Sequence, residues 1–365
     1  MMLLLVSFTV FITVAYLAYP LWLALLKPVV YIPDDKTSTI DQVSLVLLSY
    51  NGSLFLRKKI DFLLTELLVF KDFELIIIDD HSEDGCEEIL NEFKKDPRVR
   101  IIHKAQHKGI PDSMNLAVEL AKYEYIVFCD QRQQLSENSI KKLVELFIDD
   151  KVGAVSACIS DYDKARHFSW IRSYENHVKC MESRAGSLIG VYGPLYAIRK
   201  ECFSTVPEHI RLDDLYLSLK ILAKKQVRIM KECLIIDESP AELNDYQRAR
   251  RYVSGFLQIM NEKGLVRELT VKQKIMLIWH KYLRLHIPLL FLASYIGIGV
   301  MGFFNHFYLY PFIFLTFLLI IVALPAKFRL HLKIKNLLKI NLYYLFAFIE
   351  VNAKHYLFSG NFNNQ

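Results

Sequence analysis

The stretch Tyr123–Asn138, which reads YEYIVFCDQRQQLSEN, decides the fold. Within it, Tyr125–Cys129 is a short apolar run rich in β-branched and aromatic side chains, which predicts a buried strand. The run ends at Asp130. A carboxylate at the C-terminal end of a buried strand lies where open α/β sheets bind ligands, although an isolated aspartate there more often caps a helix or turn.

Other segments of the first half have the same character. Helical patterns alternate with apolar runs, and this alternation predicts a parallel sheet with helices on both faces. The strands are predicted at Val43–Ser49, Phe73–Ile78 and Val99–His103, and the helices at Leu54–Phe70, Cys86–Lys94 and Gly109–Lys122. The second of these strands leads directly into Asp79 and Asp80. Because parallel strands end at one edge of the sheet, these acids and Asp130 are expected at a common cleft.

The second half is less regular. Apolar runs predict strands at Val152–Ser160 and within residues 190–199, and either a strand pair or one long strand at Val227–Ile236. Helical spacing predicts helices at Phe168–Arg184, Leu215–Ala223 and Tyr246–Met260. The acids Asp213 and Asp214 stand just before the second of these helices, where two adjacent carboxylates are more than a helix cap requires.

The ends of the chain predict a membrane protein. Of the 365 residues 53% are hydrophobic, and Met1–Leu26 and Leu285–Ala326 contain no charged residue. Each stretch exceeds the roughly 20 apolar residues that span a bilayer. We therefore expect an N-terminal transmembrane helix over residues 1–26, with a signal peptide as the alternative, and two spans within residues 285–326. Residues 27–42 are a predicted linker, 43–265 an α/β domain, and 266–284 an interfacial helix.

Charge gives the orientation. Lys327–Lys339 carries five Lys or Arg residues and no acid, which predicts a cytoplasmic segment by the positive-inside rule. The large domain is then cytoplasmic, at the inner membrane of a cell. Residues 327–365 would hold this basic segment and a final interfacial helix, or a fourth span. The net charge of +6 fits contact with anionic lipid, and no nucleic-acid-binding module is recognisable. The six cysteines are scattered and are expected to be free thiols.

The order of the motifs resembles a known family. Residues 43–51 (VSLVLLSYN), 75–84 (LIIIDDHSED) and 127–130 (VFCD) are similar to the nucleotide-binding half of family 2 glycosyltransferases. Residues 193–200 (GPLYAIRK), 212–214 (LDD) and 247–251 (QRARR) resemble the acceptor half of the membrane-bound branch, with its hyaluronan, chitin and cellulose synthases. The resemblance implies the GT-A fold: a Rossmann-like α/β domain with a mixed, mostly parallel sheet and flanking helices, here with transmembrane helices added.

The resemblance also implies roles for individual residues. Asp79 and Asp80 match the acids that hold the donor's base and ribose, and Asp130 matches the first acid of the D-x-D motif, which binds Mg²⁺ or Mn²⁺ on the diphosphate. Asp214 matches the catalytic base, with Asp213 beside it. Gln247 and Arg250 match the Q-x-x-R-W motif, which closes over the donor diphosphate and the acceptor. Arg132 and Arg251 stand at positions that depart from the family pattern and are also expected to bind the donor. Gly193 belongs to the acceptor half. Tyr192 and Tyr196 beside it are expected either to stack on an acceptor sugar or to pack in the core or at an interface.

Several positions depart from the family pattern. Arg132 stands at the second acid of D-x-D, Arg251 at the Trp of Q-x-x-R-W, and Gly52 at the Glu that often follows the first-strand Asn. One carboxylate can still hold Mg²⁺ when phosphates supply other ligands, and Arg132 could neutralise phosphate directly.

The expected function is that of an inverting, metal-dependent glycosyltransferase. It would move a sugar from a nucleotide-diphosphate sugar, expected to be a UDP-sugar, to a polysaccharide or lipid-linked glycan, with a second copy or an export partner if the product is a polymer. The alternatives are a transferase that adds a single sugar, and an inactive membrane scaffold.

Overall fold

The structure is a computed structural model that describes residues 14–29, 39–160, 169–236, 245–313, 316–317 and 339–352. Most of the second predicted span and the basic segment after it lie outside these residues.

A single eight-stranded mixed sheet forms the centre of the domain. The strand order is β3-β2-β1-β4-β7-β6-β8-β5. Neighbours are parallel except where β7 pairs with β4 and β6 and where β5 pairs with β8. The strands are β1 (Gln42–Ser49), β2 (Asp72–Asp79), β3 (Val99–His103), β4 (Tyr125–Asp130), β5 (Gln134–Leu135), β6 (Val152–Ser160), β7 (Leu195–Arg199) and β8 (Gln226–Ile236).

Helices cover both faces of this sheet. They are α1 (Tyr19–Leu25), α2 (Ser53–Leu67), α3 (Cys86–Phe93), α4 (Ile110–Leu120), α5 (Ser139–Glu145), α6 (Ser169–Arg184), α7 (Asp213–Leu222), α8 (Asp245–Asn261), α9 (Val271–Phe304) and α10 (residues 339–352). The first helix follows a π-helical turn at Val14–Ala18, and short 3-10 turns lie at Leu146–Ile148, Lys200–Cys202 and His306–Tyr308.

The two faces of the sheet form separate hydrophobic cores. In β1, Leu45 and Leu47 pack beneath α2, α3 and α5, whereas Val46 faces the opposite core. Alternate side chains of a strand point to opposite faces, and a strand buried on both is largely apolar, as β1 is over residues 45–48. The face that holds Val46 also packs against α4, α6, α7 and α8.

A buried polar cluster joins α1 and α9 to the domain. Glu182 of α6 is fully buried; one carboxylate oxygen accepts a hydrogen bond from the hydroxyl of Tyr19 at 2.5 Å and lies 2.6 Å from Nδ1 of His280. The other ring nitrogen of His280 lies 2.9 Å from Glu175, which also pairs with Arg284. Buried carboxylates are stable only when paired in this way. The cluster therefore fixes α1 and α9 against α6.

The helix α9 is longer than predicted. It begins at a capping box, in which Thr270 and Gln273 each accept a hydrogen bond from the other's backbone N–H. It then continues through a π-helical turn at Ile278–Leu283 to Phe304. The predicted interfacial segment and the first predicted span are thus one helix. In the described part of the chain it is the one helix long and apolar enough to cross a membrane.

The predicted GT-A-like architecture is confirmed. All of the predicted strands are present, and their bounds agree to within one residue except in residues 190–199, where the strand occupies the last five. The six cysteines are free. The one strand that was not predicted is β5.

Candidate active site

The strands β1, β2 and β4 end side by side. Ser49 pairs with Asp79, and Leu48 pairs with Asp130. The backbone N–H of Asp80 donates to the carbonyl oxygen of Ser49 at 2.9 Å, which continues the alignment past the last strand residue. The chain therefore brings acids from distant parts of the sequence to one edge of the sheet, as predicted.

Two adjoining cavities open at this edge. The larger has a volume of about 1060 Å³ and the smaller one of about 260 Å³. They share six lining residues: Leu48, Ile110, Asp130, Arg211, Asp213 and Arg251. Ligand sites commonly occupy roughly 300–1,000 Å³. The larger cavity can therefore hold a nucleotide-sized molecule, with the smaller one beyond it.

Asp80 lines the larger cavity, but protein groups already occupy its oxygens. Its carboxylate forms an ion pair with Lys104 and accepts hydrogen bonds from the backbone N–H groups of Lys108 at 3.0 Å and Gly109 at 2.7 Å. The ring nitrogen Nδ1 of His107 lies 2.8 Å from it. Burial alone would raise the pKa of Asp80, but the hydrogen bonds from Lys104, Lys108 and Gly109 outweigh it and hold the pKa below its usual value.

These contacts indicate that Asp80 has a structural role. A carboxylate offers about four acceptor positions, and Asp80 uses them on residues 104–109. Gly109 has φ +88°, a left-handed conformation that glycine adopts without strain, and it places its N–H toward Asp80 at the start of α4. Asp80 thus shapes one wall of the larger cavity.

Asp130 lies where the two cavities meet. Burial raises its pKa to about 6; the positive charges of Lys59, Arg132 and Arg251 oppose this rise, and the charge of Asp214 adds to it. The carboxylate therefore stands among cations and beside a second acid. These surroundings are suited to binding a charged ligand.

Asp213 and Asp214 begin α7, where negative charge is favoured by the helix dipole. Burial, and then the neighbouring carboxylate of Asp214, raise the pKa of Asp213 to about 7. Asp213 lines both cavities, and Asp214 lines the smaller one. A carboxyl group that titrates near neutral pH is suited to proton transfer.

Gly193 allows the loop before β7 to approach Asp214 closely. A Cβ atom at this position would lie 3.3 Å from Oδ2 of Asp214, which is tight. The carbonyl oxygen of Asp214 accepts a hydrogen bond from Ser218, whose hydroxyl oxygen in turn accepts one from the N–H of Val191. The loop and the start of α7 therefore form one unit around the carboxylate.

Other predicted residues lie elsewhere. Asp79 is buried, with one carboxylate oxygen 3.2 Å from the ring of His103, and it lines neither cavity. Tyr196 lines the smaller cavity, but its ring is buried in a stack on Phe128. Tyr192 lines neither cavity, and the ammonium group of Lys179 sits 3.4 Å from the centre of its ring.

The helix α8 presents Arg251 rather than Arg250 to the site. Arg250 pairs with Glu350 of α10 at 3.2 Å, and Gln247 is exposed outside both cavities. Successive residues of a helix point about 100° apart, so neighbouring arginines face different surroundings. Ala249 and Val253 hold the buried face of α8 and so set this rotation.

Several residues that line or support the site were not predicted. Arg211 lines both cavities, and Lys104 binds Asp80. The sequence could have indicated both residues. Arg211 immediately precedes Leu212 and the acid pair, and Lys104 immediately follows a predicted strand that ends at the same edge of the sheet. Tyr50 and His107, whose rings stack with centroids 4.1 Å apart at the larger cavity, had no such signal.

Asp130 is the carboxylate that the resemblance assigns to a metal ion, and Asp213 lines the same two cavities. No group of three or more His, Cys, Asp or Glu side chains in the described part of the chain is arranged to hold a metal ion. The residue two positions after Asp130 is Arg132, a cation. The donor set fits Mg²⁺ or Mn²⁺ only if phosphate oxygens of a bound ligand complete the coordination.

The comparisons with known proteins agree with this geometry. Residues 44–206 match the family described as Glycosyl transferase family 2. The chain is 28% identical over 124 residues to the glycosyltransferase GlyG of Streptococcus pneumoniae serotype 4, covering 34% of this chain and 40% of that protein. It is 25% identical over 173 residues to the poly-β-1,6-N-acetyl-D-glucosamine synthase of Staphylococcus epidermidis, covering 46% and 42%. The chain thus spans less than half the length of these relatives.

A solved structure has the same fold. The mannosyltransferase PcManGT from Pyrobaculum calidifontis, determined in complex with GDP-Man and Mn²⁺, superposes with a TM-score of 0.75 at 18% identity, covering 94% of this chain and 98% of that one. At this identity the likeness establishes the fold alone. Residues 44–206 are thus a glycosyltransferase family 2 domain, and the superposition shows that the chain has the GT-A fold.

Proposed function

We propose that the chain is an inverting glycosyltransferase that moves a sugar from a nucleotide-diphosphate sugar to a hydroxyl group of a polysaccharide or a lipid-linked glycan. One observation carries the proposal: Asp130, Asp213 and Asp214 gather with Arg211 and Arg251 around two adjoining cavities. This arrangement can stabilise a leaving diphosphate at one end and accept a proton at the other.

The donor is assigned to the larger cavity. The stacked rings of Tyr50 and His107 offer a flat surface for a nucleobase, and Arg132, Arg211 and Arg251 line the same cavity. The sequence favours a UDP-sugar, whereas the solved neighbour is named with GDP-Man, so both nucleotide classes are candidates.

The acceptor is assigned to the smaller cavity beside Gly193. In the proposed reaction its hydroxyl oxygen attacks the anomeric carbon as the bond from that carbon to the diphosphate breaks, and the hydroxyl proton passes to the carboxylate of Asp214. Asp213 shares the negative charge of the pair. A single displacement inverts the anomeric carbon and releases a nucleoside diphosphate.

The proposed reaction includes a divalent cation, whose role is limited to the diphosphate of the donor. Asp130 would hold it, together with phosphate oxygens of the donor, and it would supply positive charge for the leaving group. The chain's own residues orient the donor and move the proton.

The membrane location is also proposed. The helix α9 is apolar enough to span a bilayer, and α1 packs beside it. We propose an inner-membrane protein with the catalytic domain on the cytoplasmic side. Transfer of one sugar and extension of a polymer remain alternatives, which the length of the product would separate.

The test is a screen of UDP- and GDP-sugars for nucleotide release by purified membranes. Wild-type protein should release one nucleoside diphosphate, and Asp214→Asn should lose at least about a hundredfold in turnover, as expected for loss of a general base. The exposed Asp61→Asn serves as the control. Wild-type turnover by Asp214→Asn would contradict the base assignment, and absence of release with every donor would contradict the proposed reaction.

A further inference from the structure

Three guanidinium groups surround the larger cavity. Arg132, Arg211 and Arg251 all line it, and the last two also line the smaller cavity. They come from three separate places: the segment after β4, the loop before α7, and the exposed side of α8. The fold therefore brings three positive charges to one space.

Arg211 and Arg251 donate their hydrogen bonds to uncharged oxygen atoms. Arg211 donates a hydrogen bond to the hydroxyl oxygen of Ser254 at 3.0 Å, and Arg251 donates to the carbonyl oxygen of Arg211 at 3.4 Å. Nε of Arg132 is buried and has no hydrogen-bond partner. In the described part of the chain none of the three forms an ion pair with a carboxylate at 4 Å or less.

An unpaired cluster of this kind needs an anion. Arginine offers planar pairs of N–H donors that match phosphate oxygens, and a buried donor without a partner is costly. The neighbouring acids are Asp130, on which the charges of Arg132 and Arg251 act, and Asp213, on which the charge of Arg251 acts. Neither forms an ion pair at 4 Å or less with these arginines. A diphosphate would satisfy the guanidinium groups together.

We infer that Arg132, Arg211 and Arg251 bind the donor's diphosphate directly, so that a nucleoside diphosphate binds to this chain without a divalent cation. The inference rests on the proposed function and adds a mode of donor recognition to it. Arg132 is central because it stands where a second metal-binding acid would stand, and it supplies charge that a cation would otherwise bring. A cation at Asp130 then follows the nucleotide and is not required for its binding.

The experiment is calorimetry on the full chain in detergent, with UDP and GDP as probes, in Mn²⁺ and in chelator. For whichever nucleotide binds, the wild-type Kd in chelator should lie within about threefold of the Kd in Mn²⁺. Loss of binding in chelator would overturn the inference and leave the proposed reaction standing. If neither nucleotide binds in either buffer, both proposals fail.

Variants make the test specific. Arg132→Asp, which rebuilds a second acid, should bind at least about tenfold more weakly in chelator than in Mn²⁺. Arg211→Met and Arg251→Met should each weaken binding about tenfold in both buffers, because each removes a charged hydrogen-bonding group. The control is Arg248→Met, an exposed arginine on α8 outside both cavities, which should bind as wild type does.

Two of the variants distinguish a loss of nucleotide binding from a loss of folding. Arg211 and Arg251 are exposed, so their variants should unfold at the wild-type temperature even if Arg132→Asp does not. Unchanged binding by both of them would contradict the inference, as would an Arg132→Asp variant with no greater dependence on Mn²⁺ than wild type.

Discussion

Gly52 and Gln131 share one space at the end of β1. A Cβ atom on Gly52 would lie 2.1 Å from the side-chain Cδ of Gln131, which is far inside contact distance. The amide group of Gln131 fills this space because it accepts a hydrogen bond from Ser49 at 2.8 Å and donates one to the carbonyl oxygen of Tyr50 at 2.9 Å. The absence of a side chain at Gly52 thus leaves room for the side chain that follows Asp130.

The first prediction is that Gly52→Ala and Gln131→Ala are coupled. The φ of Gly52 is −126°, so alanine is compatible with the backbone. Its methyl group would displace the amide of Gln131, and loss of the two hydrogen bonds should cost about 1–2 kcal/mol in the free energy of unfolding. Gln131→Ala should cost a similar amount. The double variant should be no less stable than Gln131→Ala alone, measured by thermal unfolding in detergent. Additive losses would show that the two positions are independent.

The second prediction concerns Gly193. In Gly193→Ala the new methyl group would press on Oδ2 of Asp214 at 3.3 Å and shift the carboxylate by a few tenths of an ångström. Turnover should fall about tenfold or more, because catalysis depends on position at this scale. The Kd of the nucleoside diphosphate should not change. Equal weakening of nucleotide binding would indicate that Gly193 shapes the donor site instead.

Much of the sheet could be predicted because its strands are buried on both faces. The apolar run Val152–Ser160, which is buried over most of its length, matched the observed strand at both ends. The edge strand Val99–His103 also matched at both ends, although it is only partly buried. The strand β5 could not be predicted, since Gln134 and Leu135 are two residues with no periodicity to detect. The antiparallel direction of β7 also depends on its partners β4 and β6, which the local sequence does not identify.

The candidate site could be predicted where a strand end or a helix start fixed the position, as for Asp130, Asp213 and Asp214. Prediction was poorer where the direction of a side chain depends on a distant partner. Arg250 and Arg251 are adjacent in sequence, and only the contact with Glu350 in α10 shows which of them turns away. Asp79 and Asp80 are also adjacent in sequence. Asp79 contacts His103 and lines neither cavity, whereas Asp80 lines the larger one.

The third prediction is a pH dependence set by Asp213. The pKa of its carboxyl group is raised from 3.8 to about 7, so the folded protein binds a proton more tightly than the unfolded chain. The stabilisation from this group is full below pH 4 and is lost as the pH rises toward 7. In Asp213→Asn this loss should disappear.

Unfolding of Asp213→Asn and of wild type at pH 5 and pH 8 measures the effect. The variant should gain stability relative to wild type at pH 8, by about 1 kcal/mol after allowance for solvent screening of a partly exposed group. Asp61→Asn should show the same small difference at both pH values. A difference for Asp213→Asn that does not change with pH would contradict the raised pKa.

The fourth prediction tests the link between α6 and the apolar helices. Glu182 contacts Tyr19 and His280 with one oxygen, and its other oxygen accepts a hydrogen bond from the N–H of Ile189 at 3.3 Å. Ile189 leads into the loop that carries Gly193, so the carboxylate joins α1 and α9 to the acceptor side of the site. Glu182→Ala should lower stability by about 3–5 kcal/mol, because it leaves the partners of a buried group unpaired.

Tyr19→Phe removes one hydrogen bond of this cluster and should cost about 1 kcal/mol. The matched control is Glu268→Ala, whose carboxylate is half exposed and lies 3.9 Å from Lys220, so that almost no loss is expected. Thermal unfolding in detergent would rank the three variants, and nucleotide release by Tyr19→Phe would report on the site. If Glu182→Ala were as stable as Glu268→Ala, the cluster would not fix the helices, and α1 and α9 would be held by their apolar packing alone.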